Sequence, residues 1–194
     1  MIKLDEVRYV KFNPAKLTRI ALATAFIAVG AQLAIPTIPA ITMQTLCIFV
    51  SAIILTPIEA VLASLVYLLL GAVGVPVFSG FCGGFGVILS VSGGFLLSFP
   101  LIAYGVSYFS KKFQGTVFTH AFTFTLATLV SYILGAIWIA IMNYYDGTFG
   151  KMLSTCVLPF IPFDAIKIAL AILCAMKLEK VLKNGKKKNQ NNRA

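Results

Sequence analysis

The sequence predicts an all-α integral membrane protein with six transmembrane helices and both termini in the cytoplasm. Hydrophobic residues make up 59% of the 194 residues, charged residues make up only 11%, and the hydrophobic residues fall in long runs. A typical soluble domain has about 25% charged residues, which build its polar surface. A surface that faces lipid therefore accounts for this composition better than a large buried core does.

Six apolar segments are candidates for spanning helices, since about 20 residues cross the hydrocarbon core of a bilayer. They are predicted near residues 18–34, 42–56, 58–74, 93–110, 117–142 and 162–182. Only Pro57 separates the second from the third, next to Thr56 at the end of the second, and proline suits the first turn of a helix. The chain is thus predicted to be a single membrane domain, with the bundle at 18–182 and basic cytoplasmic tails at 1–17 and 183–194.

The basic residues predict the orientation. Fourteen of the sixteen Lys and Arg residues lie at the two ends of the chain, within residues 3–19 and 177–193, or between the fourth and fifth segments, and six spans place all of these on one side. Cytoplasmic loops carry an excess of Lys and Arg, so this side is predicted to be cytoplasmic. The net charge of +10 then reflects topology and contact with the anionic lipid bilayer. No nucleic-acid partner is predicted, because the basic tail lacks interleaved aromatic residues.

The connection between the third and fourth segments is rich in glycine. Eight of the fifteen glycines lie within residues 71–94, a stretch without a charged residue, where Phe78, Phe81 and Phe85 are interleaved. Glycine lets the backbone approach a ligand or a neighbour closely. We expect a loop folded back over an outward-facing cavity. A re-entrant packing loop without a ligand is the alternative.

Asp164 and Lys167 are the most informative ionisable residues. Both lie in the sixth apolar segment, where a spacing of three places them on one helical face. Asp164 is predicted in the first turn, where the helix dipole favours an anion. Lys167 is predicted one turn deeper, where an unpaired charge would be costly. The pair is either a self-satisfied structural ion pair or the polar anchor of a cavity for a ligand with N–H groups, a carbonyl and a carboxylate.

Other polar residues have simpler interpretations. Glu59 is expected to be a carboxylate at a helix N-terminus, and Asp146 and Lys151 are expected to be solvated charges of an outer loop. Gln32 and Gln44 flank a short predicted outer turn. They could line the mouth of a cavity, although helix capping or interhelical bonding explains them equally well.

Small residues share one face of the first segment, at Ala21, Ala25 and Ala28. Small residues four apart let another helix approach closely. Packing within the bundle and a docking surface for another membrane protein are both compatible with this stripe.

The sequence contains no motif of an enzyme or of a metal site. There is no GxxxxGK[ST] phosphate loop, so ATP hydrolysis by this chain is not predicted. The four cysteines form no CxxC pair, and the single histidine, His120, is expected to pack rather than to catalyse. No cofactor is predicted.

Residues 71–100, GAVGVPVFSGFCGGFGVILSVSGGFLLSFP, resemble the signature of the BioY family. The family's G-x-P-x-F stretch matches residues 74–78, its glycine loop matches residues 80–84, and its P-T-G-G-Y motif matches residues 91–95. Phe81 replaces a glycine, and Val91-Ser92 replaces Pro-Thr.

Three further segments carry the resemblance, which extends over about residues 17–182. Residues 38–46, IPAITMQTL, are similar to the family's V-P-I-T-L-Q-T-L, and residues 164–167, DAIK, are similar to its D-x-x-K. Residues 21–25, ALATA, resemble the AxxxA motif of S components.

BioY proteins are biotin-specific S components of energy-coupling factor (ECF) vitamin transporters. The resemblance implies a six-helix protein of the bacterial cell membrane that binds biotin on the outer face. It also implies docking to a transmembrane T component and two cytoplasmic ATPases, so that only the partner subunits use ATP.

The resemblance implies a role for each candidate residue. Asp164 is expected to accept from the ureido N–H groups of biotin, and Lys167 to pair with a ligand oxygen. The other expected ligand contacts are Gln44, Cys82, Gly83, Gly84, Phe78, Phe81, Phe95 and Gln32. Ala21, Ala25 and Ala28 are expected to face the partner subunit.

Three other interpretations stay open. The chain could be an S component for a different vitamin, or a structural subunit that binds no ligand. A small membrane enzyme acting on lipid-linked substrates is the third, although it would need a cluster of charged residues at the membrane interface that this sequence lacks.

Overall fold

The protein, seen here in a computed structural model, is described over residues 13–113, 116–144 and 149–191. The helices are α1 (Pro14–Gln32), α2 (Gln44–Ile54), α3 (Pro57–Ala72), α4 (Phe85–Ile88), α5 (Gly93–Lys112), α6 (Val117–Ile141), α7 (Phe149–Cys156) and α8 (Phe160–Asn191). Strands β1 (Ala34–Ile35) and β2 (Ile41–Thr42) form an antiparallel hairpin, and a 3₁₀ turn covers Ser79–Phe81.

The long helices pack into one bundle around an apolar core. α5 lies between α3 and α6, α1 packs on α2 and α3, and α8 packs on α2 and α6. The rings of Phe49 in α2 and Phe124 in α6 stack with centroids 4.8 Å apart. Stacked aromatic pairs add roughly 0.5–1.5 kcal/mol beyond the area that they bury. Because packed helices make up the body of the protein, the predicted all-α fold class is confirmed.

Four helical stretches among the described residues are long and apolar enough to cross a membrane: Pro14–Gln32, Gly93–Lys112, Val117–Ile141 and Ser154–Val181. α2 and α3 are apolar but shorter, with 11 and 16 residues. At 1.5 Å per residue α2 is roughly 16 Å long, about half the thickness of the hydrocarbon core. The six-span count and the orientation remain predictions.

A capping box starts α3. Thr56 Oγ1 accepts from the Glu59 N–H at 3.3 Å, and Glu59 Oε2 accepts from the Thr56 N–H at 3.0 Å. This reciprocal pair satisfies two of the N–H groups that a helix start leaves without partners. The predicted helix-start role of Glu59 is confirmed, and its Oε1 also accepts from Arg19 Nη2 at 2.6 Å. That ion pair joins α3 to α1.

α8 begins earlier than predicted and ends later. It starts at Phe160, and Pro162 is tolerated within its first turn because the N–H groups there have no intrahelical partner. Asp164 therefore lies beyond the first turn, and the prediction of a first-turn position was wrong. α8 also continues to Asn191, through most of the segment predicted as a tail.

The remaining polar predictions have separate outcomes. His120 is fully buried and stacks on Phe124, as expected of a packing residue, but its Nε2 also lies 3.2 Å from Glu179 Oε1 in α8. Asp146 lies outside the described residues. Lys151 lies in α7, and its side chain is outside the described part of the chain.

Candidate ligand-binding site

A cavity of about 440 Å³ lies inside the bundle, within the size range of small-molecule sites. The β-hairpin, α2, α5, α6 and α8 form its walls, and the connection from α3 to α5, residues 73–92, closes one side. We call this connection the lid. Six of the predicted site residues line the cavity: Gln44, Phe78, Cys82, Phe95, Asp164 and Lys167.

An ion pair forms the charged wall of the cavity. Lys167 Nζ donates to Asp164 Oδ1 at 2.7 Å, and these residues are only 3% and 7% exposed. The hydroxyl of Tyr132, on α6, donates to Asp164 Oδ2 at 2.5 Å. Both carboxylate oxygens thus have a donor from the protein, and all three side chains also line the cavity. A buried charge pair of this kind needs such additional hydrogen bonds to offset its desolvation.

A second polar chain connects the hairpin to the lid. Thr42 Oγ1 donates to Gln44 Oε1 at 2.7 Å, and Gln44 Nε2 donates to the hydroxyl of Tyr67. That hydroxyl donates in turn to the backbone oxygen of Val77 in the lid, at 3.2 Å. Gln44 starts α2 and contributes to the cavity wall. The oxygen and the nitrogen of its side-chain amide therefore each have a hydrogen-bond partner in the protein.

Gln32 holds the lid and does not line the cavity. Its Nε2 donates to the backbone oxygens of Phe78 at 3.1 Å and Val77 at 3.4 Å, and its Oε1 accepts from the Phe81 N–H at 2.9 Å. One side chain of α1 thus binds three backbone groups of the lid. These contacts join α1 to the connection between α3 and α5, so they match neither the cavity-mouth nor the interhelical-bonding interpretation of Gln32.

The other end of the lid is held by α6 and the residues that follow it. Trp138 Nε1 donates to the backbone oxygen of Ser90 at 3.1 Å, and the hydroxyl of Tyr144 donates to the backbone oxygen of Leu89. Together with Gln32 and Tyr67, these bonds tie the lid to α1, α3 and the α6 end of the bundle. None of these roles of Tyr67, Trp138 and Tyr144 was predicted from the sequence.

Glycines 83 and 84 shape the lid without lining the cavity. A Cβ on Gly83 would lie 2.6 Å from the oxygen of Val75, so only a glycine fits beside that backbone. Gly84 has φ of 102°, a conformation that favours glycine, and its N–H donates to the oxygen of Gly71 at 2.7 Å. The glycine-rich composition thus lets the lid fold on itself.

Aromatic rings supply the apolar walls. Phe78 is buried against Tyr67, and Phe95 stacks on Phe160 with centroids 6.0 Å apart. Phe99 completes this surface. Phe81, by contrast, is 72% exposed and does not line the cavity.

Residues with a hydroxyl group, none of them predicted as a site residue, also line the cavity. They are Thr37, Thr42, Thr45, Ser79, Ser90, Ser92, Thr128, Ser131 and Tyr132. Serine and threonine are common in apolar helices, so their spacing carries no signal. Tyr132 offered one weak signal, a polar aromatic residue in the middle of the fifth apolar segment.

The stripe of alanines on α1 is only partly exposed. Ala21 and Ala25 are exposed, whereas Ala28 is partly buried and packs against the core. Internal packing thus occupies one end of the stripe, and the other end faces outward.

The fold and cavity define a helical integral membrane protein with a partly open, ligand-sized cavity next to a buried ion pair. The chain belongs to the BioY family, whose family model matches residues 5–184. It is 35% identical over 169 residues to the biotin transporter BioY of Thermotoga maritima, which covers 86% of this chain and 96% of that protein. It is 33% identical over 165 residues to the probable biotin transporter BioY of Pyrococcus horikoshii, covering 84% of this chain and 96% of that protein.

A solved structure is similar in fold. It is the crystal structure of the S-component for biotin from an ECF-type ABC transporter, with a TM-score of 0.77 and 26% identity, covering 86% of this chain and 92% of that chain. The family predicted from the sequence motifs is therefore confirmed, and so is a multi-pass location in the cell membrane. The named relatives are transporters and not enzymes.

Proposed function

We propose that this chain is the biotin-binding S component of an ECF-type importer and that biotin occupies the cavity beneath the lid. The observation that carries the proposal is the Asp164–Lys167 pair, which is buried and lines a cavity of ligand size. The relatives named as biotin transporters support the choice of ligand.

The unused hydrogen-bonding capacity of the pair fits a ureido group. A carboxylate has about four acceptor sites, and Lys167 and Tyr132 occupy two of those on Asp164. A lysine ammonium has three donors, and Lys167 uses one on Asp164. The two N–H groups of a ureido ring match the remaining acceptors, and its carbonyl matches a remaining donor.

The rest of the cavity suits the apolar parts of biotin. Phe78, Phe95 and Phe99 offer surfaces for the ring system and the aliphatic chain. Gln44 keeps one unused N–H, and Cys82 brings the lid backbone to the cavity wall. Gly83, Gly84, Phe81 and Gln32 contribute indirectly, by shaping the lid or holding it.

Transport requires partners in this proposal. The chain docks to a transmembrane T component through the outward-facing part of the α1 stripe, at Ala21 and Ala25, and two cytoplasmic ATPases supply the energy. Small exposed residues four apart let a partner helix approach closely. The six spans and the cytoplasmic termini belong to the same proposal, supported by the distribution of basic residues.

Titration of the purified protein in detergent with biotin tests the proposal, with lipoic acid, which has a sulfur-containing ring and a similar carboxylic acid chain but no ureido group, as the matched control ligand. Saturable binding of biotin alone is the expected result. A preparation that binds neither biotin nor any co-purified ligand would overturn it. Mass spectrometry of ligand released by denaturation would reveal a different vitamin, and that result would support the alternative S component.

A further inference from the structure

One exposed face of α5 changes in chemical character along its length. Leu97, Leu101, Tyr104, Tyr108 and Lys112 follow one another at spacings of three or four residues and therefore share one side of the helix. We call this set the α5 stripe. The two leucines and two tyrosines are each 40% or more exposed, and Lys112 is also exposed. The bundle thus leaves the whole stripe uncovered.

The polar end of the stripe is ordered by aromatic contacts. The rings of Tyr104 and Tyr108 stack with centroids 6.0 Å apart, and Lys112 Nζ lies 5.5 Å from the centroid of Tyr108 and 5.7 Å from that of Phe113. Among the described residues, no carboxylate lies within 4.0 Å of Lys112 Nζ. The stripe therefore ends in a positioned ammonium whose charge is not neutralised by an ion pair.

The neighbouring lysine has a different environment. Lys111 Nζ donates to the backbone oxygen of Leu55 and, at 3.3 Å, to Ser107 Oγ, so it binds the start of the α2–α3 connection. The two lysines at the end of α5 thus have separate roles, and only Lys112 belongs to the exposed stripe.

The dimensions of the stripe match one leaflet of a bilayer. Fifteen residues separate Leu97 from Lys112, which is about 22 Å along a helix. Half of a bilayer, including the headgroups, is also about 20–22 Å. The order along the stripe (aliphatic, then aromatic with a hydroxyl, then cationic) follows the order of acyl chain, ester region and phosphate in a phospholipid. Tyrosine is enriched at this interfacial depth.

We propose that the α5 stripe is a binding site for one anionic phospholipid that lies lengthwise along the helix. Its phosphate contacts Lys112, its ester oxygens accept from the Tyr104 and Tyr108 hydroxyls, and its chains cover Leu101 and Leu97. A net negative headgroup is favoured over a zwitterionic one, because the cationic group of a zwitterionic headgroup offsets the attraction between its phosphate and Lys112. The attraction of one lysine to an anionic membrane surface is about 1 kcal/mol, or roughly fivefold in affinity.

Native mass spectrometry can test this site. The purified protein is exposed to equal amounts of dioleoyl phosphatidylglycerol and dioleoyl phosphatidylcholine, which have the same chains. We expect the protein to retain the anionic lipid about fivefold better. Lys112→Gln should reduce this preference to near parity. Lys177→Gln, which changes another exposed lysine on α8, is the matched control and should keep the preference.

Several outcomes would overturn the site. An equal loss of the phosphatidylglycerol preference in the Lys112 and Lys177 variants would mean that diffuse surface charge attracts the lipid. If the unchanged protein showed no preference between the two lipids, the proposal would be contradicted directly. A photocrosslinker placed at position 108 in native vesicles should label phospholipid. If it labelled only a polypeptide, the stripe would be a protein interface instead. Biotin retention by both lysine variants provides the check that each is folded.

Discussion

The hydroxyl of Tyr132 donates to Asp164 Oδ2 at 2.5 Å and joins α6 to α8 within the cavity wall. Lys167 donates to the other oxygen of the same carboxylate. Asp164 is therefore held from two directions, by its own helix and by a neighbouring one. Because hydrogen bonds with a charged partner contribute about 1.5–3 kcal/mol, this arrangement orients the acceptor that we assign to the ligand.

Replacing Tyr132 with phenylalanine should weaken biotin binding by roughly tenfold, since a contribution of about 1.4 kcal/mol corresponds to that factor. The change removes the hydroxyl and keeps the ring, so the orientation of Asp164 is lost while the apolar wall remains. Isothermal titration calorimetry measures the effect. Tyr104→Phe removes an exposed hydroxyl from α5 and should leave biotin affinity unchanged. Equal affinities for the two variants would show that Tyr132 does not position the carboxylate for the ligand.

Replacing Lys167 with alanine should weaken biotin binding by about tenfold or more, because the ligand loses a charged donor. Lys177→Ala, on the exposed face of the same helix, is the control and should bind normally. Calorimetry on both variants checks the prediction, and unchanged affinity after Lys167→Ala would remove this residue from the site.

Folding and binding can be separated at this pair. Lys167→Ala leaves Asp164 as a buried charge without its cation, which destabilises proteins by about 3–5 kcal/mol. The double variant Asp164→Asn with Lys167→Gln removes both charges together, so its unfolding temperature should stay closer to that of the unchanged protein. We expect it to lose biotin binding nonetheless. A double variant that bound biotin with full affinity would contradict the assigned role of the pair.

Replacing Gln32 with leucine should release one end of the lid. The variant loses the bonds to the backbone of Val77, Phe78 and Phe81 but changes no residue of the cavity wall. We expect faster dissociation of biotin and faster amide hydrogen exchange in residues 77–82. Residues 89–92, held by Trp138, serve as the internal control. If neither rate rises, Gln32 does not hold the lid closed over the ligand.

Replacing Gly94 with alanine should destabilise the bundle. A Cβ at this position would lie 2.3 Å from Trp138 Cβ and 2.7 Å from the oxygen of Leu134, both on α6. Overpacking of this kind costs about 1–3 kcal/mol. The control is Gly105→Ala in the same helix, where a Cβ meets nothing within 4 Å and helix propensity favours alanine by about 1 kcal/mol. Thermal unfolding in detergent should separate the two variants, and a Gly94 variant as stable as the Gly105 variant would contradict close packing of α5 on α6.

The Asp164–Lys167 pair could be predicted from sequence because its two residues are three apart on one helix, a local relationship. The capping role of Glu59 was predictable for the same reason. The exact turn of α8 that holds Asp164 was not, since proline is tolerated throughout the first turn of a helix and Pro162 therefore does not fix where that turn begins.

The contacts of Gln32 and Tyr132 could not be predicted in the same way. Gln32 bonds to a lid residue 49 positions away, and Tyr132 bonds to an aspartate 32 positions away. No spacing rule relates residues so distant in the chain. The exposure of Phe81 and the position of Gly83 and Gly84 outside the cavity wall likewise depend on how the lid folds on itself.

By itself, the sequence determined that the protein is helical and membrane-embedded, that it belongs to the BioY family and that one acid and one amine share a helical face. These properties follow from composition, motif and local periodicity, which need no knowledge of packing. Only the tertiary structure decided which side chains enclose the cavity and which hold its lid, because those roles depend on the approach of α1, α6 and α8 to residues far away in the chain.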